Sequence, residues 1–179
     1  MQENRIYFKD NPWPEGHPID KFEWQAKLID ETIWFDLHLE TANYYSERDI
    51  DDSGQESDWK SPIVWGNYHR CTMSSHHWHD GGFEICSRKN YSLDYLDGFL
   101  ANVDTSPEII KNWDDLAFHI YLLGHDSVAC HKIKFIRKER NYFDIDWSGK
   151  IALIYGGDDE YKYSFSAQIT NINAPKLSL

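Results

Sequence analysis

Only three of the 179 residues are cysteine, and the chain has six prolines, ten glycines and no apolar run near the roughly 18 residues that a membrane helix needs. The thiols of Cys71, Cys86 and Cys130 leave one unpaired under any disulfide scheme and show no C-x-x-C spacing. Reduced thiols in a cytoplasmic protein are therefore the expectation. Met1-Gln2-Glu3-Asn4-Arg5 is followed by no apolar segment of signal-peptide length. Basic residues are also scarce: 18 Lys and Arg stand against 30 Asp and Glu, a net charge of −12. This opposes roles that neutralise phosphates or anionic lipid, so neither nucleic acid nor membrane is expected as a partner. Phosphate loops and dinucleotide fingerprints are missing, because Gly81-Gly82 and Gly156-Gly157 are isolated pairs in acidic surroundings and read as turns. No G-x-S-x-G elbow supports a serine nucleophile, and no catalytic residue is assigned.

The chain does have apolar residues at 41% and aromatics at 16%, enough for the core of one domain spanning residues 1–179. Period-two alternation dominates. Phe22, Trp24, Ala26 and Leu28 alternate with polar residues, as do Ile33, Phe35, Leu37 and Leu39, and opposing Leu28 with Ile33 puts both sets on one face of a hairpin. Farther on, opposing Phe135 with Ile145 aligns Ile133 with Trp147 and Lys134 with Asp146. Strands are also expected over residues 63–73, 83–86, 116–123 and 161–169, with a turn at Gly124-His125-Asp126-Ser127 and a bulge or bend at Ser148-Gly149. Ser106-Pro107-Glu108 starts the best helical segment, ending near Trp113. The pattern predicts a mostly β protein, an antiparallel β-sandwich or open barrel of about 8–10 strands with one short helix.

The acid is concentrated early. Residues 1–60 carry 15 Asp and Glu against six Lys and Arg, and residues 46–58 read as a mobile acidic loop. Asp49, Asp51, Asp52, Glu56 and Asp58, with the flanking rings of Tyr44, Tyr45 and Trp59, are the expected partner-binding residues. A surface of this kind selects a basic protein partner, with aromatic residues as buried anchors. The leading expectation is thus a non-enzymatic, cofactor-free acidic binding domain, the physical profile of an immunity or inhibitor protein that neutralises a toxin.

Two alternatives rest on other residues. His77 and His79 are two apart, so on a strand both imidazoles reach one side, and His69 or Cys71 on the preceding segment offers a third ligand for zinc. This would make a metal-binding protein or metal-dependent enzyme. The other alternative is a carbohydrate- or small-ligand-binding β-sandwich using Trp13, Trp34, Trp59 and Trp78, which fall in loops or on the polar phase of strands. A hydrolytic set from His119, His125, Asp126 and Ser127 or Ser75 is disfavoured, because neighbours in a tight turn rarely aim a carboxylate at the adjacent ring, and His131 is placed on an apolar face as a buried structural residue.

Overall fold

The computed structural model describes residues 4–44, 57–76, 78–79, 82–110 and 112–178. Strands hold 51% of the chain, and eight of them close into an antiparallel barrel, so of the two architectures the sequence allows it is the barrel, and a closed one. The barrel strands are β1 (Arg5–Phe8), β2 (His17–Ile29), β3 (Thr32–Thr41), β4 (Thr72–Ser75), β7 (Phe118–Tyr121), β8 (His125–Arg137), β9 (Tyr142–Ala152) and β10 (Tyr163–Asn173). Around the ring the order is β2, β1, β10, β9, β8, β7, β4, β3, and pairing of β3 with β2 closes it. Three further strands extend it: β5 (Phe83–Ser87) on β3, β6 (Leu100–Val103) on β8, and β11 (Leu177–Ser178) parallel to β2.

Both registers read from the alternation are present. Leu28 faces Ile33, Ala26 faces Phe35 and Trp24 faces Leu37. Phe135 faces Ile145, Ile133 faces Trp147 and Lys134 faces Asp146. A one-residue slip would turn each apolar set toward water, and this penalty sets the pairing. The long strands serve two partners each. β3 pairs β5 through Thr32–Phe35 and β4 through His38–Glu40, while β8 pairs β7 at its start and β6 through residues 131–134. The interior is packed with side chains such as Phe35, Phe118, Phe135, Phe143 and Trp147, as expected for a barrel of this strand number.

Several local expectations are corrected. Residues 63–73 are not one strand: α1 (Pro62–Asn67) forms first, because Ser61 Oγ accepts the Val64 amide at 3.3 Å and Pro62 occupies the first turn. The Ser106 segment gives two 3-10 turns, Pro107–Ile109 and Trp113–Asp115, since Ser106 makes no side-chain cap and the stretch is too short to repay helix nucleation. The second helix is α2 (Leu93–Leu96), with Ser92 capping the Tyr95 amide at 3.0 Å. The expected turn at 124–127 lies instead at residues 122–124, with His125 already in β8.

β9 is continuous through Ser148-Gly149, and the irregularity sits opposite, on β8 between Ala129 and Lys132, where Cys130 adopts φ of 54°. Gly149 is needed for close approach: a Cβ there would stand 2.6 Å from the Phe165 ring and 3.0 Å from the Ala129 carbonyl oxygen. Gly149→Ala is expected to destabilise the fold by about 1–3 kcal/mol, read as a lower thermal midpoint. An unchanged midpoint would mean that the bulge yields freely.

One group of rings packs around His17. Trp65 stacks on His17 at 5.8 Å, with Tyr44 at 4.9 Å and Trp59 at 5.1 Å from the Trp65 ring. The indole N–H groups of Trp65 and Trp59 donate to the Trp59 and Lys9 carbonyls at 2.8 and 2.9 Å. These two indoles find carbonyls, whereas Nε1 of Trp13, packed on His17 and Trp65, is buried without a hydrogen-bond partner among the described residues.

Candidate functional site

The register builds an outward polar face across β3, β4, β7 and β8. One cross-strand row is Glu40, Thr72, Tyr121 and His125, and the next is His38, Ser74, His119 and Ser127. The alternate residues Leu39, Met73, Ile120 and Asp126 form the inward row. His125 and Asp126 therefore point to opposite faces, and no Asp-His orientation pair exists between them. Asp126 Oδ2 instead accepts the Leu123 amide at 2.9 Å, and burial raises its pKa while backbone amides oppose the rise.

Within the outer face one group is ordered by strong hydrogen bonds. His38 Nε2–H donates to Glu40 Oε1 at 2.8 Å, and His38 Nδ1 lies 2.6 Å from Ser74 Oγ. A carboxylate only accepts, so the Glu40 contact places the ring proton on Nε2 and leaves Nδ1 to accept the Ser74 hydroxyl. The hydrogen bond from His38, with Lys21 and Arg70 beyond it, holds the Glu40 carboxyl below its ordinary pKa. The Trp78 ring packs beside His38 at 5.5 Å.

A cleft of about 380 Å³ adjoins this group, lined by Thr72, His76, His119, Tyr121 and His125 and walled by Trp113 and Asp114. Exposed apolar and acidic side chains occupy Trp113 and the segments near it in the chain and at Tyr155. Ile109, Tyr155 and Trp113 are the most exposed large apolar side chains described, at 75%, 65% and 50%. Tyr155 and Tyr121 both contact the Tyr68 ring, which joins Tyr155 to the cleft. Glu108, Asp114, Asp115, Asp159 and Glu160 are all exposed in the same segments. Asp104, Glu108 and Cys130 share one neighbourhood, and Asp159 joins Asp104 beside Tyr161.

The residues singled out from sequence distribute differently. Tyr44 and Trp59 are buried at 1% and 3% exposure among the rings around His17, so they are core residues and not surface anchors. Trp13 is likewise buried, and Trp34 and Trp78 are partly buried. Asp58 is exposed and lies near Tyr68, while Tyr45, Asp49, Asp51, Asp52 and Glu56 fall outside the described residues. His69 sits beyond the Thr41 end of β3, its carbonyl accepting the Tyr44 amide, whereas His79 hydrogen-bonds Gln25, whose partner on β3 is Asp36. Five strand residues separate those levels, roughly 17 Å, too far for one ion to hold both imidazoles. His77 lies outside the described residues, and among those described no group of three or more His, Cys, Asp and Glu is placed to hold a metal.

Two basic residues at the end of β8 are paired: Lys138 meets Asp144 across the turn at 2.9 Å, and Arg137 meets Asp94 at α2. No described helix is long and apolar enough to cross a membrane. Ile109, Trp113, His38, Glu40 and Ser74 belong to no motif visible in the sequence. The available signals were an exposed-type Trp113-Asp114-Asp115 triplet and the i, i+2 placement of His38 and Glu40 on the polar phase of a strand. No known family model, curated protein or solved structure matches this chain.

Proposed function

We propose that this protein is an acidic docking domain for a basic protein partner, and that contact is made through the surface of Ile109, Trp113 and Tyr155. The observation that carries this reading is that the three most exposed large apolar side chains described all lie in segments with exposed acidic residues. Isolated exposed apolar residues are ordinary, but strongly exposed apolar side chains in acid-rich segments suit an interface. The net charge of −12 supplies long-range attraction for a cationic partner, and the acid-rich segment 46–58 adds to it. A toxin whose working surface is itself basic is one such partner, and neutralising it is the specific form of the reading that composition favours.

The test is co-purification from the native host at 0.05–0.5 M NaCl with wild type and with Trp113→Ala/Asp114→Asn/Asp115→Asn as baits. Wild type is expected to retain a basic protein at low salt, with retention about tenfold lower for the triple variant. Equal retention by both baits, or a captured protein with an acidic surface, would overturn the assignment. A parallel bait neutralised at Asp49, Asp51, Asp52, Glu56 and Asp58 reports whether the early acidic segment contributes.

A further inference from the structure

The group formed by Ser74, His38 and Glu40 has an order that docking does not require. Three side chains on neighbouring strands are joined by bonds of 2.6 and 2.8 Å, and Lys21 and Arg70 hold the terminal carboxylate in its charged form. Ser74 shares its outward face with Thr72 and His76 on its own strand and stands opposite His119. Those three residues line the cleft of about 380 Å³, so Ser74 stands next to the cleft wall without lining it. A serine bonded to an imidazole whose other nitrogen is bonded to a carboxylate is the arrangement that makes an alcohol nucleophilic, whichever ring nitrogen faces it.

We infer that Ser74 is an acyl-accepting nucleophile, with His38 as its general base and Glu40 as the positioning residue, acting on small esters that enter the cleft. The Ser74 proton passes to His38 Nδ1 as Oγ bonds to the ester carbonyl carbon. The carbonyl then reforms, the bond to the alcohol breaks, and the leaving alcohol takes the proton from His38. Water attacks the acyl-serine in the same way: it gives a proton to His38, the bond from acyl carbon to Oγ breaks, and Ser74 recovers its proton. Ester and water become acid and alcohol, with no other reactant consumed. Throughout, the Glu40 carboxylate holds the Nε2 proton and steadies the imidazolium. Ser74 keeps only 4% of its surface exposed, which restricts the acyl group to small, unbranched chains. This inference is independent of the docking surface and stands or falls without it.

The experiment is labelling of the full chain with an alkyl fluorophosphonate at pH 8, followed by intact mass and peptide mapping, with p-nitrophenyl acetate turnover in parallel. Wild type is expected to gain one adduct per chain, on Ser74, and to show a burst of p-nitrophenol. Ser74→Ala removes both, and His38→Ala slows labelling by 100-fold or more. Glu40→Gln is expected to shift the pH profile of the labelling rate, a change that a purely structural loss would not make. Circular dichroism confirms that each variant is folded. The wild-type map alone decides the matter if a variant is not: no adduct on Ser74, under conditions that label a serine protease fully, overturns the proposal, as does an adduct confined to another residue.

Discussion

Acidification from pH 7 to pH 4 is expected to unfold the protein through two buried imidazoles. His17 and His131 are 2% and 0% exposed, and burial, aided for His17 by the Arg5 charge, pushes each pKa down to about 3 from the ordinary 6.5. Both rings are bonded as neutral species. Asn11 Nδ2 donates to His17 Nε2 at 3.0 Å, and the Trp147 indole N–H donates to His131 Nδ1 at 3.1 Å. Because the folded pKa lies below the unfolded value, the stabilisation is complete above pH 6.5 and is lost as pH falls toward 3, while the unfolded chain binds two protons that the folded chain refuses. Each histidine then removes on the order of 4 kcal/mol, and the pair rivals a typical total stability of about 5–15 kcal/mol. Asp104 and Asp126, whose carboxyl pKa values burial raises, protonate before their unfolded counterparts as pH falls and offset part of this. The measurement is urea denaturation at pH 7, 6, 5 and 4. A stability that stays level over that range would contradict the burial of neutral imidazoles, whereas His131→Gln should flatten the slope by one proton.

Trp65→Ala is the second large effect, an expected loss of about 3–5 kcal/mol. Trp65 is fully buried, touches Phe8, Trp13, His17, Tyr44 and Trp59, and donates its indole N–H to the Trp59 carbonyl. Its removal leaves a cavity in the middle of the ring cluster and orphans a buried carbonyl, and Phe8 and His17, fixed on β1 and β2, cannot close the gap. In denaturant the midpoint should fall with little change in slope. Trp113→Ala is the matched control, since a half-exposed indole contributes to stability by no more than about 0.5 kcal/mol. If Trp65→Ala cost no more than Trp113→Ala, the cluster would not be part of the core.

Alternation revealed the long strands because burial of one face imposes a period of two on ten or more residues. It could not reveal closure, which needs β1, a four-residue strand too short to carry a pattern, and pairings of β4 with β3 and β7 that no alternation encodes. Aromatic residues beside acids misled in the other direction. Trp59 is flanked by Asp58 and Lys60 and looks solvent-facing, yet a 3-10 turn over those three residues turns the indole inward while the charges stay out. The relay of Glu40, His38 and Ser74 was half legible: His38 and Glu40 share a face by strand period, but Ser74 joins them only through the pairing of β3 with β4, a contact between residues 36 apart that no local pattern encodes.

The central claim is that the exposed apolar and acidic side chains around Trp113 receive a basic protein. Its most direct test is the association rate of the co-purified partner with wild type and with the Trp113→Ala/Asp114→Asn/Asp115→Asn variant as ionic strength rises. The wild-type rate is expected to fall steeply with salt, and the variant to associate more slowly, depend less on salt and dissociate faster for want of its anchor. Identical rates and salt slopes for the two proteins would contradict the claim.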